Sequence, residues 1–129
     1  MKVICNYCNE EAVLVQGSQL FSHIPKLKNK LFWKCYPCAA HVGCPEGSRK
    51  PHGSLAKSEL RKLRMKCHAK LDPLWRNTSD SRSDIYAILA INMGLTKEVC
   101  HIGMFNESTC DHAMMVIDQM SMERSRNVC

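Results

Sequence analysis

Long apolar runs are missing from this chain. No stretch of its 129 residues approaches the roughly 20 apolar positions that a membrane-spanning helix needs, so no membrane association is expected. No secretory signal is expected either. The opening MKVICNYC places polar residues and two cysteines where an apolar signal core would have to lie. The expected setting is a reducing cytoplasm, where closely spaced cysteines serve as metal ligands more often than as disulfides. The cysteine count of nine is odd, which argues against complete pairing. Aromatic residues are few, at 6%, and methionine, at eight, is frequent, which favours a small and adaptable core over a rigidly packed one. At this length the chain amounts to one modest domain, of a size that gains from a metal staple.

Acidic residues are scarce in the middle of the chain. From Lys26 to Arg76 thirteen Lys/Arg face only Glu46, Glu59 and Asp72, a balance of +10. The remaining residues carry −4, so the net +6 hides a strong segregation. A basic middle segment favours an anionic partner.

What stands out against these shortages is a pair of matching motifs. Cys5-x2-Cys8 and Cys35-x2-Cys38 are separated by 26 residues, and each falls where the pattern reads strand, tight turn, strand. Two such turns can offer four thiolates to one tetrahedral zinc ion at about 2.3 Å per bond. Four sulfur ligands leave no open position, so the implied Zn2+ is structural. Removing it should unfold at least residues 1–45.

His41, Cys44 and His52 follow the second motif, but no paired ligand spacing completes a second metal set. His41 could instead donate to a zinc-bound thiolate. The expected architecture is α+β: a small zinc ribbon over residues 1–50, packed in a single domain 1–129 with about three helices over residues 54–123. A first helix is expected over residues 54–71, with Leu60, Leu63, Cys67 and Leu71 on one face. Asp72-Pro73 ends it. After a polar linker over residues 77–83, a second helix should run over 84–93, from a Ser83 cap to a Gly94 stop, with Ile85, Ile88 and Leu89 inward. A third should begin near Asn106 or Ser108, bury Cys110, Ala113, Met114, Ile117 and Met120, and fray from about Ser121.

Lys34, Lys57, Arg61, Lys62 and Arg64 are the candidate phosphate contacts, alongside the plainer reading of a solvated face. Phe32, Trp33 and Tyr36 could stack on unpaired bases or pack beneath the ribbon. His68 borders the core beside the basic flank. With Asp72 and His101 it forms a candidate second site, catalytic or metal-binding, against the simpler reading of buried hydrogen bonds. No complete catalytic motif is present.

Several segments together resemble a phage and prophage family of unknown function, described as zinc-finger-containing. The matching residues are Cys35-Tyr-Pro-Cys38, His41-Val-Gly-Cys44, Gly53-Ser-Leu-Ala56, Leu60-Arg61, Arg64, His68, Asp72-Pro-Leu-Trp75, and Cys100-His-Ile-Gly-Met-Phe105 followed by Cys110. Cys5-x2-Cys8 fits the family's first knuckle. His41 stands where that pattern has an aromatic, and Pro45 where it has a histidine, which weakens any second metal site in that loop. The resemblance implies a zinc site, a viral origin and hence a host cytoplasm, and helices packed with the ribbon through Trp75 and Phe105. It supplies no activity. Three functions follow in order of support: a zinc module binding DNA or RNA, a viral module binding a host protein through its Met-rich third helix, and a metal-dependent nuclease.

Overall fold

Cys5 begins a reversal that the backbone closes on itself. Its N–H donates to the Glu10 carbonyl at 2.8 Å, and the Ala12 N–H donates to the Val3 carbonyl at 2.8 Å. Ile4 and Glu11 thereby form an antiparallel bridge. The chain continues directly into strand β1, Val13–Gln16. The computed structural model describes residues 1–76 and 78–127, with side chains through Arg124.

Gly17 opens a short helix, α1 (Gly17–Leu20), at a point where the chain crosses itself. A Cβ there would stand 1.7 Å from the Leu27 carbonyl oxygen, so only glycine fits. One 3-10 turn, Pro25–Leu27, occupies the segment expected to be irregular. Strands β2 (Leu31–Cys35) and β3 (Ala40–Gly43) then complete an antiparallel meander in the order β1-β2-β3. The register pairs Val15 with Phe32 and Cys35 with Ala40. His41 and Ala56 add a further bridge. That bridge holds Ser54–Lys57 out of the expected helix, which starts at Ser58 instead.

The chain divides into two compact units, Met1–Glu59 and Leu60–Cys129. The core of the first is small: Ala12, Trp33, Ala40, Cys44 and Leu55, completed by Cys5 and Cys35. Two of the seven residues in this cluster are thus candidate metal ligands, and Val15, Phe32 and Ala56 are buried in the same unit. Trp33 is fixed by donation from its Nε1 to the Arg49 carbonyl at 2.7 Å.

In the second unit the long helix α2 (Ser58–Leu71) buries Leu60, Arg64, Cys67 and Leu71. Arg64 takes the inward place expected of Leu63, which is half-buried. The Asp72 carbonyl then accepts from the N–H groups of Trp75 and Arg76, starting α3 (Pro73–Arg76). Proline suits that first position because its missing N–H has no partner to lose. Of the linker expected over residues 77–83, residue 77 lies outside the described residues and Arg82 and Ser83 belong to the next helix.

Helix α4 (Arg82–Met93) begins at Ser81, two residues before the expected cap. The Ser81 hydroxyl accepts from the Asp84 N–H at 3.1 Å, and the Asp84 carboxylate accepts from the Ser81 N–H at 3.2 Å. This reciprocal box needs an acceptor three residues on, which Ser83 lacks. Gly94, at φ 70°, closes the helix in the left-handed region, as expected. Ile85 and Leu89 point inward with Ala90 and Met93, but Ile88 is exposed. Helix α5 (Glu107–Asn127) starts from Asn106, whose side chain accepts from the Thr109 N–H at 2.9 Å, and carries on past Ser121. It buries Cys110, Ala113, Val116, Ile117 and Met120. Phe105 is buried, and Trp75 is half-buried with its Nε1 donating to Asp72 at 3.1 Å. No helix among the described residues is long and apolar enough to cross a membrane.

Candidate metal centre

Cys5, Cys8, Cys35 and Cys38 come together with all four sulfurs within 4.8 Å of one another. The Cys8 and Cys35 sulfurs are 3.6 Å apart. A regular tetrahedron with zinc–sulfur bonds of about 2.3 Å has edges of about 3.8 Å, so the cage fits the ion.

The two knuckles close with different hydrogen bonds but the same backbone turn. In the first, the Asn9 N–H donates to the Cys5 carbonyl at 2.8 Å, and the Tyr7 N–H points at the Cys5 sulfur at 3.4 Å. In the second, the Ala39 N–H donates to the Tyr36 carbonyl at 3.2 Å. Each chain reversal ends in a left-handed residue directly after the second cysteine, Asn9 at φ 64° and Ala39 at φ 54°. Asparagine tolerates that conformation and alanine does not. Ala39 is exposed, so its methyl has little packing to lose. Ala39→Gly is therefore expected to stabilise the zinc-loaded protein by about 0.5–1 kcal/mol, read as a raised denaturation midpoint with unchanged zinc stoichiometry.

Electrostatics explain why these thiols want a cation. Burial works to raise the Cys5 thiol, but the Tyr7 and Cys8 N–H groups and the neighbouring thiols outweigh it, and its pKa falls below the ordinary value. For Cys35 the N–H of Cys38 pulls downward, and burial with the Cys8 and Cys5 thiols prevails upward. Burial, followed by the other three thiols, pushes Cys38 up to about 12. Four sulfurs this close cannot share four negative charges without a metal among them, and zinc removes the conflict by holding all four as thiolates.

Such a chelate has no vacant coordination position, so it supplies folding energy and not an activated water. The chain belongs to the DUF3268 family of zinc-finger-containing domains, whose model matches residues 1–120. No curated protein and no solved structure matches it. Fold, donor set and family together define a small α+β protein with one structural zinc site.

The remaining candidates fall apart from this centre. Among the described residues no other group of three or more His, Cys, Asp or Glu brings its ligand atoms together as these four cysteines do, the His41, Cys44, His52 loop and the His68, Asp72, His101 set included. His41 packs edge-on against Phe21 and Phe32, at 5.6 and 5.8 Å between ring centres. Cys44 is buried, and His52 is exposed. His68 is half-buried, and its pKa is lowered by burial and by Arg82 against the opposing pull of Asp72. His101 is exposed and lines a cavity described below.

Of the candidate phosphate contacts, Lys57 and Lys62 are exposed, and Lys34 and Arg61 are half-buried. Arg64 does not belong to that surface. It is 8% exposed, and its Nε donates to the Phe105 carbonyl at 3.0 Å. Phe32 and Trp33 pack beneath the ribbon, and Tyr36 is 56% exposed. Two features went unnoticed in the sequence. Lys57 lies over the Tyr7 ring at 4.7 Å, as Lys34 lies over Tyr36 at 5.1 Å, so each knuckle tip carries a tyrosine capped by a lysine. A groove of about 700 Å3 runs between residues 26–31 and 44–52, lined by Lys26, Lys30 and His52. The two Cys-x2-Cys tips each contain a tyrosine, which was a legible signal. The groove was not legible, because its walls are far apart in sequence.

Proposed function

We propose that this protein is a structural-zinc module that binds DNA or RNA through the basic surface of its ribbon. The observation carrying this reading is the pair of lysine-capped tyrosines on the zinc knuckles, with Tyr36 open to solvent. A cation beside an exposed aromatic ring suits a phosphate next to an unpaired base. The Lys26 and Lys30 groove offers the backbone a continuation within the same unit. Lys62 and Arg61, on α2, add positive charge to the second unit. A phage origin and a host-cytoplasmic site of action belong to this proposal and rest on the family resemblance alone.

Fluorescence anisotropy with short single-stranded DNA and RNA tests it. With three to four phosphates neutralised, affinity is expected to fall about 20- to 50-fold between 50 and 200 mM salt. Lys34→Ala and Lys57→Ala should each flatten the logarithmic salt slope by about 0.7. Indifference to both polymers at low salt overturns the proposal.

A second reading rests on a different observation. Met115 on α5 is 69% exposed and Ile91 on α4 is 78% exposed, so the helical unit carries adaptable apolar side chains that a host protein could cover. Capture of a defined protein that survives nuclease treatment would favour that reading over the first.

A further inference from the structure

The first turns of α4 and the connector after it flank an open cavity of about 230 Å3, which neither the zinc centre nor the basic ribbon uses. Its wall is formed by Arg82, Ser83, Tyr86, Lys97, Cys100 and His101. The inner part is apolar, since Cys100 is buried and Tyr86 is half-buried. The rim is polar, because Arg82, Ser83, Lys97 and His101 are exposed.

The charged side chains of the wall are basic, with Asp84 and Glu98 next to Ser83 and Lys97 in the chain but outside the lining. No carboxylate lines the cavity. Among the described residues neither Arg82 nor Lys97 forms an ion pair, whereas Lys70, Arg76 and Arg124 each do. Arg82 is held another way, with its guanidinium 5.2 Å from the centre of the Tyr86 ring. The ring contact and a hydrogen bond to the Tyr86 side chain orient the planar fork and leave its remaining N–H groups for an acceptor. Asp72, whose charge reaches Tyr86, is engaged by the Trp75 indole at 3.1 Å and by Arg76 at 3.4 Å.

We propose that this cavity binds a phosphate monoester, with the phosphoryl group at the Arg82, Lys97 and His101 rim and a sugar-sized body against Tyr86 and Cys100. Three features select this ligand. A guanidinium fork and an ammonium match a dianion better than a single carboxylate. The Ser83 hydroxyl and His101 imidazole supply further donors for a group with three terminal oxygens. The apolar inner wall gives an organic body something to cover, which inorganic phosphate lacks. The site requires no metal and no bond making, and it does not depend on the nucleic-acid reading of the ribbon.

Titration of the zinc-loaded full chain, 15N-labelled, tests the proposal. Ribose 5-phosphate is expected to shift the amide signals of Arg82, Ser83, Lys97 and His101 saturably, and to bind at least 30-fold more tightly than ribose and several-fold more tightly than inorganic phosphate. Lys97→Gln, on the exposed connector, should weaken binding about 10-fold without changing the rest of the spectrum. Arg82→Gln should weaken it further. A 5′-phosphorylated trinucleotide that binds more tightly than ribose 5-phosphate assigns the pocket to a nucleic-acid end, and one that binds no better assigns it to a free sugar phosphate. Either outcome supports the pocket. Ribose 5-phosphate binding no more tightly than ribose, or Lys97→Gln and Arg82→Gln both binding like the parent, overturns it.

Discussion

Stripping the zinc with a strong chelator is expected to unfold at least residues 1–45. The apparent free energy of a structural zinc site is about 10 kcal/mol or more, which is comparable to the whole stability of an ordinary small domain. The packing of the first unit shows why nothing replaces it. Its large buried side chains are few, chiefly Phe32, Trp33 and Leu55, while Cys5 and Cys35 fill central positions as buried thiols. Without the ion, those sulfurs and Cys38 lose their cation and the two knuckles lose the link between them. The β2–β3 hairpin would then have only a few apolar contacts to set against its chain entropy. Elemental analysis should give one zinc per chain. Chelation, or replacement of Cys35 and Cys38 by serine, should collapse the dispersed amide signals of the ribbon. Cys44→Ser supplies the control, because Cys44 is equally buried but lies outside the four-sulfur cage. That variant should lose some stability and keep its zinc. Zinc-free material that retains the ribbon spectrum would show that the cage is not what holds this unit together.

The ribbon and its ligands were legible because two constraints coincide in sequence. A Cys-x2-Cys turn is local, and the strands on either side of the second one are marked by the Leu31–Cys35 run. The helices were legible as helices but not in their details. Leu60, Cys67 and Leu71 fix the buried stripe of α2, and both Leu63 and Arg64 fall near it by the 3.6-residue period. Hydropathy favours the leucine. The structure favours the arginine, because a carbonyl at Phe105, 41 residues away, is within reach of its Nε. No local pattern reports such a partner. The start of α4 is a different kind of miss, since Ser81 and Asp84 show the serine-to-acid spacing of a reciprocal cap in the sequence itself. The late start of α2 was hidden, because it depends on Ala56 pairing with His41 across the sheet. The phosphate cavity was hidden for the same reason, as Arg82 and Lys97 lie 15 positions apart with no shared period.

Arg64→Ala is expected to cost about 3 kcal/mol and to leave nucleic-acid affinity per folded molecule nearly unchanged. Removing the side chain exposes the loss from two sides. The stem no longer fills the stripe between Leu60 and Cys67, and the Phe105 carbonyl loses a charged donor where water has poor access. Arg64→Lys should recover only part of the loss, since a compact ammonium cannot present Nε and the remaining guanidinium donors in one plane. Lys62→Ala, two positions away and exposed, should change stability by less than about 0.5 kcal/mol while flattening the salt slope. Thermal or urea denaturation of the three variants, paired with anisotropy titrations, separates the roles. If Arg64 served the basic surface, its alanine variant would melt like the parent and bind polymer less steeply with salt. The burial of its guanidinium against Phe105 dictates the reverse: a lowered melting point, by more than about 10 °C, with the salt slope intact.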